Sequence, residues 1–586
     1  MSRPVSPSLD FRNTNTLWCS VLVETLVRLG LRHVVISPGS RSAPLTFAFV
    51  RHRGIAAIPV LDERSAGFYA LGLAKQSGKP VALVCTSGTA AANFLPAIVE
   101  AHESGVPLLV LTADRPPELR DCHSGQSINQ LKLYGGFVNY FRDMPVPVAR
   151  LAALRRLKRE MMHAFRMTGR PMTGPVHLNC PFRDPLPPLP EQRGHGLGVK
   201  DLAGCFAGLE ASATAAAPRV ALGPRRAIAG DGIIVVGPNE PASGREFAAA
   251  VGRMSRALGW PVLADALSPI RMHANVGGHV VGHYDTILRS ARLAGELRPK
   301  QVICVGGWPT SKVLREWLKA ADPAVLLLTN RSDNMDGLRL RTTHVRGNLG
   351  TWCTRFDGTV RPGADARRWL AADRVVQTYF DAALKRAPGL VEPACIPQLA
   401  RHLPDDTAMF VASSMPVRDM EYFWPAGGGR QRVKFNRGAN GIDGTLSTAL
   451  GVAHGDRLPV VLLTGDLALL HDTNGFLSVP KFKGGLTIVL INNNGGGIFE
   501  HLPVAQFDPP FEEFFATPQN IGFRKLCATY GVSHVRVRDW KHFSSLVAKL
   551  PQAGVRVLEI RTDRKRDAAF RKKLFADAAA ALDRSM

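Results

Sequence analysis

The 586-residue sequence contains no apolar run close to the roughly 20 residues that a membrane-spanning helix needs. Its longest apolar stretches, such as LTIVLI at 486–491, are far shorter. The first residues, MSRPVSPSLDFRNTNTLWC, also lack the apolar segment of a signal peptide. We therefore expect no membrane span and no secretory leader.

Cysteine is sparse: the nine residues are scattered along the chain, and no two of them form a CxxC pair. An odd number of dispersed cysteines in a chain of this length argues against a disulfide framework and favours reduced thiols. Together with the lack of a leader segment, this predicts a cytoplasmic protein.

Negative charge is also scarce: the chain has 73 Lys and Arg residues but only 48 Asp and Glu residues, which gives a net charge of +25. Such a balance allows nucleic acid or anionic small molecules as partners. Two stretches carry much of the excess, residues 155–159 and the C-terminal run RTDRKRDAAFRKKL. Because no RNP, zinc-finger or basic-zipper pattern accompanies them, we interpret both as solvated basic faces and expect no nucleic acid partner. A nucleic-acid-binding protein stays open as the alternative class.

What the sequence does contain is a repeated alternation of short apolar runs, each ending in Gly, Ser or Asp, with helical stretches. This βα rhythm is typical of buried parallel sheets. The proline-rich stretch 184–198 and the alanine-rich stretch 211–226 indicate a linker between two such blocks. We predict three consecutive open, mainly parallel-sheet α/β domains at 1–190, 191–372 and 373–586, the second including the linker.

The third block holds the most informative group of polar residues. Gly465 and Asp466 follow the predicted strand PVVLLT, and Asn493 follows the next one, LTIVLI, just before three glycines. Ends of neighbouring parallel strands meet at one edge of a sheet, which would bring a carboxylate, an amide oxygen and a glycine carbonyl together. Such oxygen ligands suit Mg²⁺, and the glycines let backbone N–H groups approach a diphosphate. Taken singly, each segment could be an ordinary turn; the combination predicts a metal–diphosphate site.

Glu63 stands out in the first block, where it follows the strand-like run IPVLD and precedes a helix predicted to begin near Ala66. A lone carboxylate at this place is usually solvated or caps the helix. Its pairing with a diphosphate site in the same chain makes a role in catalysis the better interpretation.

Seven segments of the chain carry a distinctive sequence. They are SPGSRSAPLT (37–46), LDERSAGFYALGLAK (61–75), TSGTAAAN (86–93), LTADRPPEL (111–119), NRGANGIDG (436–444), GDLALLHD (465–472) and NNNGGGIF (492–499). Together with the predicted metal–diphosphate site, these segments resemble the 2-succinyl-5-enolpyruvyl-6-hydroxy-3-cyclohexene-1-carboxylate (SEPHCHC) synthase family, within the thiamine diphosphate enzymes of the decarboxylase and acetolactate synthase type. The resemblance covers nearly the whole chain and is weakest in the central domain.

This resemblance implies a transferase that decarboxylates 2-oxoglutarate on thiamine diphosphate and adds the succinyl enamine to isochorismate, giving SEPHCHC and CO₂ in menaquinone biosynthesis. It implies a pyrimidine-binding domain, a central domain and a diphosphate-binding domain, and a homodimer or homotetramer with active sites between subunits. By position, Glu63 would hydrogen-bond the cofactor's N1′ and promote its activation. Asp466, Asn493 and the carbonyl of Gly495 would hold Mg²⁺, with Mn²⁺ as an alternative metal. The other implied cofactor contacts are Ile442, Gly465 and Leu467.

The same resemblance implies two groups of substrate contacts, both suited to polyanions because arginine binds carboxylates bidentately. The isochorismate group is Ser40, Arg41, Arg115, Gln126 and Lys312. The group around the 2-oxoglutarate carboxylate is Ser414, Arg418 and Arg437, and Ile498 and Leu502 are further implied substrate contacts.

The sequence departs from the expected pattern at a few positions. Leu467 replaces the third glycine of the wider thiamine diphosphate group, which suits this family better than a generic decarboxylase. Gly125 stands where Asn is expected and Gly497 where Gln is often found, and each change removes one candidate hydrogen bond to substrate. Another thiamine diphosphate carboligase or decarboxylase, acting on pyruvate or an aryl oxoacid, stays open and predicts an apolar donor pocket.

Overall fold

The computed structural model describes residues 8–191, 194–202, 204–209, 228, 230–353, 355–456 and 458–586. Within these residues the chain forms three sheets of six strands each, and every strand pair is parallel. The predicted fold class, three mainly parallel α/β domains, is therefore confirmed. The predicted alanine-rich linker at 211–226 lies outside the described residues.

The first sheet has the strand order β2-β1-β3-β4-β6-β5. Strands β3 and β4 are buried along their whole length, which explains why they appear in the sequence as unbroken apolar runs. The elements are α1 (Thr14–Arg28), β1 (His33–Ile36), α2 (Ala43–Arg51), β2 (Ala56–Pro59), α3 (Glu63–Ser77), β3 (Val81–Cys85), α4 (Thr89–Ala92), α5 (Leu95–Ser104), β4 (Leu108–Asp114), β5 (Tyr140–Asp143), α6 (Leu151–Met167) and β6 (Val176–Pro181).

The second sheet has the order β12-β11-β10-β7-β8-β9. Its elements are β7 (Ile233–Val236), α7 (Gly244–Leu258), β8 (Pro261–Ala264), α8 (Pro269–Met272), β9 (His279–Val281), α9 (Tyr284–Ile287), α10 (Ala291–Glu296), β10 (Gln301–Val305), α11 (Lys312–Ala321), β11 (Ala324–Thr329), β12 (Arg341–Arg346) and α12 (Leu349–Cys353).

The third sheet has the order β14-β13-β15-β16-β18-β17, which repeats the order of the first sheet. Two helices precede it. The elements are α13 (Ala364–Lys385), α14 (Glu392–His402), β13 (Ala408–Val411), α15 (Met415–Phe423), β14 (Arg432–Phe435), α16 (Thr445–Gly455), β15 (Val460–Gly465), α17 (Asp466–His471), β16 (Gly485–Asn492), α18 (Phe523–Thr529), β17 (Ser533–Arg536), α19 (Trp540–Val547), β18 (Gly554–Arg561) and α20 (Arg564–Ser585).

Side-chain caps decide where several helices begin. The carboxylate of Asp62 accepts hydrogen bonds from the backbone N–H groups of Arg64 and Ser65, so α3 starts at Glu63. The sequence-based prediction of a start near Ala66 was wrong by about one turn, because the capping residue lies inside the apparent strand end. Gly78, with a φ of 64°, ends the helix in the left-handed conformation.

The contacts divide the protein into two compact units. The first holds Met1–Ala216, Asn436–Arg457 and His471–Gly484, and the second holds Ala217–Phe435, Leu458–Leu470 and Gly485–Met586. In the second unit, one continuous hydrophobic core serves both the second and the third sheet and includes Trp369 and Trp424. The two domain boundaries expected from the sequence, at 190/191 and 372/373, stay predictions.

The two basic stretches differ in their surroundings. In α6, Arg155, Arg156 and Arg159 are exposed, as expected of a solvated face. In α20, however, Arg564 is 8% exposed and Arg571 is 1% exposed, and both form ion pairs. The interpretation of the C-terminal run as solvated was therefore wrong for these two residues. No helix among the described residues has the length and apolarity required to cross a bilayer.

Candidate active site

The predicted metal ligands lie at the ends of two adjacent strands in the second unit. Strand β15 pairs with β16, and Gly465 is in register with Ile491, so Asp466 and Asn493 follow neighbouring strand ends. The backbone N–H of Gly495 donates to Asp466 Oδ2 at 2.9 Å, and that of Leu467 donates to Oδ1 at 2.8 Å. These two bonds hold the carboxylate against the Gly495 backbone.

The donor atoms in this place suit a divalent cation. Asp466 is 4% exposed and Asn493 is 7% exposed, and burial raises the pKa of Asp466 to about 6. Asn493 Oδ1 is buried and accepts no hydrogen bond from the described residues. An unsatisfied buried oxygen costs about 1–3 kcal/mol, and a hard cation would satisfy it together with the carboxylate. The residues therefore fit the predicted magnesium site.

The glycines after Asn493 are required by close contacts. Gly495 has a φ of 140°, and a Cβ there would lie 2.4 Å from the carbonyl oxygen of Ala516. A Cβ on Gly497 would lie 2.7 Å from Nδ2 of Asn493. The glycine that replaces the expected glutamine therefore leaves room for the amide of Asn493 in its observed position.

Glu63 is the first residue of α3 in the first unit. Burial, with a smaller contribution from the charge of Asp62, raises the pKa of Glu63 above its ordinary value. The buried carboxylate of Asp472 accepts from the backbone N–H of Ser447 at 2.6 Å, and the hydroxyl of Ser65 lies 3.4 Å from it. Asp472 thus ties the first turn of α3 to α16.

Helices α3 and α16 also pack in backbone contact. A Cβ on Gly72 would lie 2.1 Å from the carbonyl oxygen of Thr448, and one on Gly451 would lie 2.1 Å from that of Tyr69. Only glycine permits this approach. This packing fixes the axis of α3 and therefore the position of Glu63, the first residue of the helix.

The segment before α16 contains Arg437 and Ile442, both half-buried. The buried carboxylate of Glu100 accepts from the backbone N–H groups of Gly438 at 3.0 Å and Ala439 at 2.7 Å. The hydroxyl of Thr445 donates to the carbonyl oxygen of Ile442 at 2.7 Å. These bonds shape the loop; the roles of Arg437 and Ile442 stay predictions.

Four residues of the predicted isochorismate group lie in loops after strands β1 and β4 of the first sheet. Arg41 is buried and donates to the carbonyl oxygen of Phe182 at 2.9 Å. Burial, followed by the charge of Arg115, lowers the pKa of Arg41. Arg115 donates to the carbonyl oxygen of Gly125 at 2.6 Å, and the amide of Gln126 donates to that of Ser87 at 3.1 Å. Ser40 is exposed.

The fifth residue of that group, Lys312, lies in the second unit. It begins α11, its side chain is 76% exposed, and its ammonium group lies 3.4 Å from the carboxylate of Glu316. A contact with substrate by this lysine stays a prediction.

Two of the three residues predicted to bind the 2-oxoglutarate carboxylate, Ser414 and Arg418, lie in the second unit. Ser414 has a φ of 76°, and its carbonyl oxygen accepts from Nη1 of Arg418 at 2.7 Å. Burial, and then the charge of Arg315, lowers the pKa of Arg418. No carboxylate of the described residues forms an ion pair with Arg418 in this structure.

A half-buried histidine, His501, lies near this arginine. His501 ends the short helix Gly497–His501 that follows the glycine run. Burial lowers the pKa of His501 to about 4. The positive charges of Arg571 and Lys572 contribute next, followed by those of Arg289 and Arg418. The Nε2 atom of His501 is buried without a partner among the described residues. Ile498 lies half-buried in the same helix, and Leu502 just after it is 44% exposed.

Sequence reasoning missed His501, Arg289 and Glu392. His501 directly precedes the predicted contact Leu502, so its place beside the glycine run is a signal that the sequence contained. Arg289 and Glu392 lie in segments without a recognisable motif. Glu392 accepts a hydrogen bond from the amide of Asn493, from which 101 residues separate it.

Comparison with known proteins identifies the class of enzyme that this fold and site belong to. Residues 19–133 match the thiamine pyrophosphate enzyme N-terminal TPP binding domain, and residues 418–560 match the C-terminal TPP binding domain. Residues 225–411 match the middle domain of thiamine pyrophosphate enzymes. The protein is therefore built as a thiamine diphosphate-dependent enzyme.

Full-length relatives narrow this class. A SEPHCHC synthase from Gloeothece citriformis is 47% identical over 572 residues, covering 96% of this chain and 98% of the relative. The synthase from a Nostoc species is 48% identical, with 98% and 99% covered, and that from Synechococcus elongatus is 46% identical, with 98% of each covered. The chain belongs to the 2-succinyl-5-enolpyruvyl-6-hydroxy-3-cyclohexene-1-carboxylate synthase family.

Proposed function

We propose that this protein decarboxylates 2-oxoglutarate and transfers the succinyl unit to isochorismate, forming SEPHCHC and CO₂ for menaquinone biosynthesis. The names of the full-length relatives support the reaction. The observation that carries the choice of donor is the half-buried guanidinium group of Arg418, which lies near Arg315 and has no carboxylate partner among the described residues, because a dicarboxylate needs positive charge at its distal end.

Thiamine diphosphate, when bound, supplies the carbanion-stabilising chemistry that 2-oxoacid decarboxylation requires. The chain's part is to hold and orient it. Asp466, Asn493 and the carbonyl of Gly495 would hold Mg²⁺, or Mn²⁺ in its place, and the metal would fix the diphosphate. Glu63 would hold a proton at the pyrimidine N1′ atom, a task that its raised pKa supports.

The two substrates would be bound by different sets of residues. Ser414, Arg418 and Arg437 would bind the donor. The positive charge of Arg418 and Arg437 argues against the alternative decarboxylase, for which an apolar donor pocket is expected. The isochorismate carboxylates would be bound by Arg41 and Arg115, whose guanidinium groups are close enough for the charge of one to lower the pKa of the other. Bringing an anion between two such cations relieves their repulsion.

The direct test is an assay with thiamine diphosphate, Mg²⁺, 2-oxoglutarate and isochorismate, in which mass spectrometry detects the adduct. We expect SEPHCHC to form only when all four components are present. Replacing 2-oxoglutarate by pyruvate serves as the control for donor choice. Faster turnover of pyruvate than of 2-oxoglutarate would overturn the proposed donor, and release of CO₂ without an adduct would overturn the proposed acceptor.

We further propose a homodimer or homotetramer. The segment after the glycine run supports this proposal, because Phe507 is 67% exposed and Phe514 is 70% exposed, and large exposed apolar side chains mark interaction surfaces. Light scattering coupled to size-exclusion chromatography would measure the mass in solution, and a monomer at assay concentration would contradict the proposal.

The cytoplasmic location also stays a prediction; it is supported by the nine free cysteines, eight of them buried.

A further inference from the structure

Glu392, the first residue of α14, lies beside the predicted metal site without being a predicted ligand. It is 2% exposed, and its Oε1 atom accepts a hydrogen bond from Nδ2 of Asn493. Its Oε2 atom is paired with the guanidinium group of Arg571. Its backbone N–H donates to Asp567 Oδ2 at 3.1 Å. Glu392 is therefore held on three sides.

The charge of Glu392 decides which way the amide of Asn493 points. A carboxylate can only accept hydrogen bonds, so it selects the NH₂ group of the amide and turns the oxygen away. That oxygen, Oδ1, is the buried atom for which the described residues supply no donor. With a neutral partner, the two orientations of the amide would be much closer in energy.

Arg571 on α20 keeps Glu392 in this role. Although burial opposes it, the charges of Asp419 and Glu392 raise the pKa of Arg571 above its ordinary value. The guanidinium group donates to Asp419 Oδ1 at 2.7 Å and to Oδ2 at 2.6 Å, a bidentate pair that fixes its plane. Arg571 thus holds Glu392 in place, and Glu392 in turn accepts the hydrogen bond from Asn493.

We propose that Glu392, braced by Arg571, is a positioning residue that orients the amide of Asn493 so that Oδ1 faces the divalent metal. This inference rests on the proposed function, because it requires Asn493 to be a metal ligand. Outer partners of this kind fix the orientation of metal ligands in many proteins, and losing one typically weakens metal binding about 10–100-fold.

A second buried glutamate provides a matched control. Glu559 is 0% exposed and accepts from Nδ2 of Asn492 at 2.7 Å and from Arg561 at 2.7 Å, and its Oε2 atom lies 2.8 Å from Nε2 of His534. Like Glu392, it is a buried glutamate paired with an asparagine amide and an arginine, but its asparagine comes one position earlier in the chain. Asn492 is not a predicted ligand, so Glu559 shares the structural role of Glu392 but not the proposed positioning role.

The experiment measures Mn²⁺ binding to the full-length protein by electron paramagnetic resonance in the presence of thiamine diphosphate. We expect Glu392→Gln to weaken Mn²⁺ binding about 10–100-fold, because the introduced amide can pair with either orientation of Asn493. We expect Glu559→Gln to stay within about twofold of the unmodified protein. Circular dichroism and thermal unfolding check that both variants are folded.

A double substitution tests orientation separately from stability. In an Asn493→Asp background, Glu392 would face a second carboxylate. There Glu392→Gln would supply an NH₂ group to one oxygen of the new carboxylate and leave the other for the metal. We therefore expect Glu392→Gln to strengthen Mn²⁺ binding in the Asn493→Asp background, although it weakens binding in the native background. A purely structural role for Glu392 predicts weakening in both.

The outcomes separate the two proposals. Equal effects of Glu392→Gln and Glu559→Gln, or weakening by Glu392→Gln in both backgrounds, would overturn the positioning role while leaving the metal site in place. Unchanged Mn²⁺ binding in a folded Glu392→Gln variant would do the same. If Asp466→Ala also binds Mn²⁺ normally, the proposed metal site itself is wrong, and the positioning role fails with it.

Discussion

Removing Arg418 tests the proposed donor pocket most directly. The guanidinium group is half-buried, donates to the carbonyl oxygen of Ser414 at 2.7 Å and has no carboxylate partner among the described residues. It lies close enough to His501 for its charge to lower the pKa of that imidazole. A substrate carboxylate would therefore be the first negative group to pair with it.

The structure sets the size of the expected effect. A guanidinium and a carboxylate about 4 Å apart interact by ~4 kcal/mol at an effective dielectric constant of ~20. Partial exposure of Arg418 to solvent reduces this, and truncating one partner of a buried ion pair typically costs about 2–5 kcal/mol. At about 1.4 kcal/mol per factor of ten, Arg418→Ala should lower kcat/KM for 2-oxoglutarate about 30- to 4,000-fold.

The assay compares kcat/KM for 2-oxoglutarate with that for pyruvate, which lacks the distal carboxylate, in the unmodified protein and in Arg418→Ala. We expect the loss with pyruvate to be less than about fivefold, because little transition-state binding is removed. Arg418→Lys is the matched control: it keeps the charge without the planar fork and should recover part of the loss. Equal losses with both oxoacids would refute the reasoning and make Arg418 a structural or acceptor-binding residue.

Three further predictions concern the cofactor. Asp466→Ala should abolish thiamine diphosphate binding in a folded protein, and near-native affinity by calorimetry would contradict this. Glu63→Gln should retain the cofactor yet slow deuterium exchange at its C2 atom, since an amide cannot supply the charge; an unchanged exchange rate would exclude Glu63. Gly497→Ala should weaken Mn²⁺ binding about tenfold or more, whereas Gly125→Ala, where a Cβ meets nothing within 4 Å, should not; equal effects would show that the contact with Asn493 is unimportant.

Much of the architecture follows from local sequence patterns. The strands that are buried on both faces, such as β3 and β4, must be apolar throughout, so they are visible as uninterrupted runs. Polar residues follow directly where such a run ends, which is why the sequence alone indicates that Asp466 and Asn493 lie at strand ends. The first and third sheets share one strand order, and both arise from the βα alternation that the sequence shows.

The partners of buried charges are what only the tertiary structure decided. The sequence showed that α20 is basic, but not that Arg571 is buried between Glu392 and Asp419, which lie 179 and 152 residues away in the chain. Likewise, no local pattern pairs Glu392 with Asn493. Hydrophobic periodicity is a property of neighbouring residues, whereas an ion pair in the core depends on which distant segments the fold brings together. A charged side chain can stay buried only when that folding supplies its counter-charge, so its environment cannot be read from its own segment.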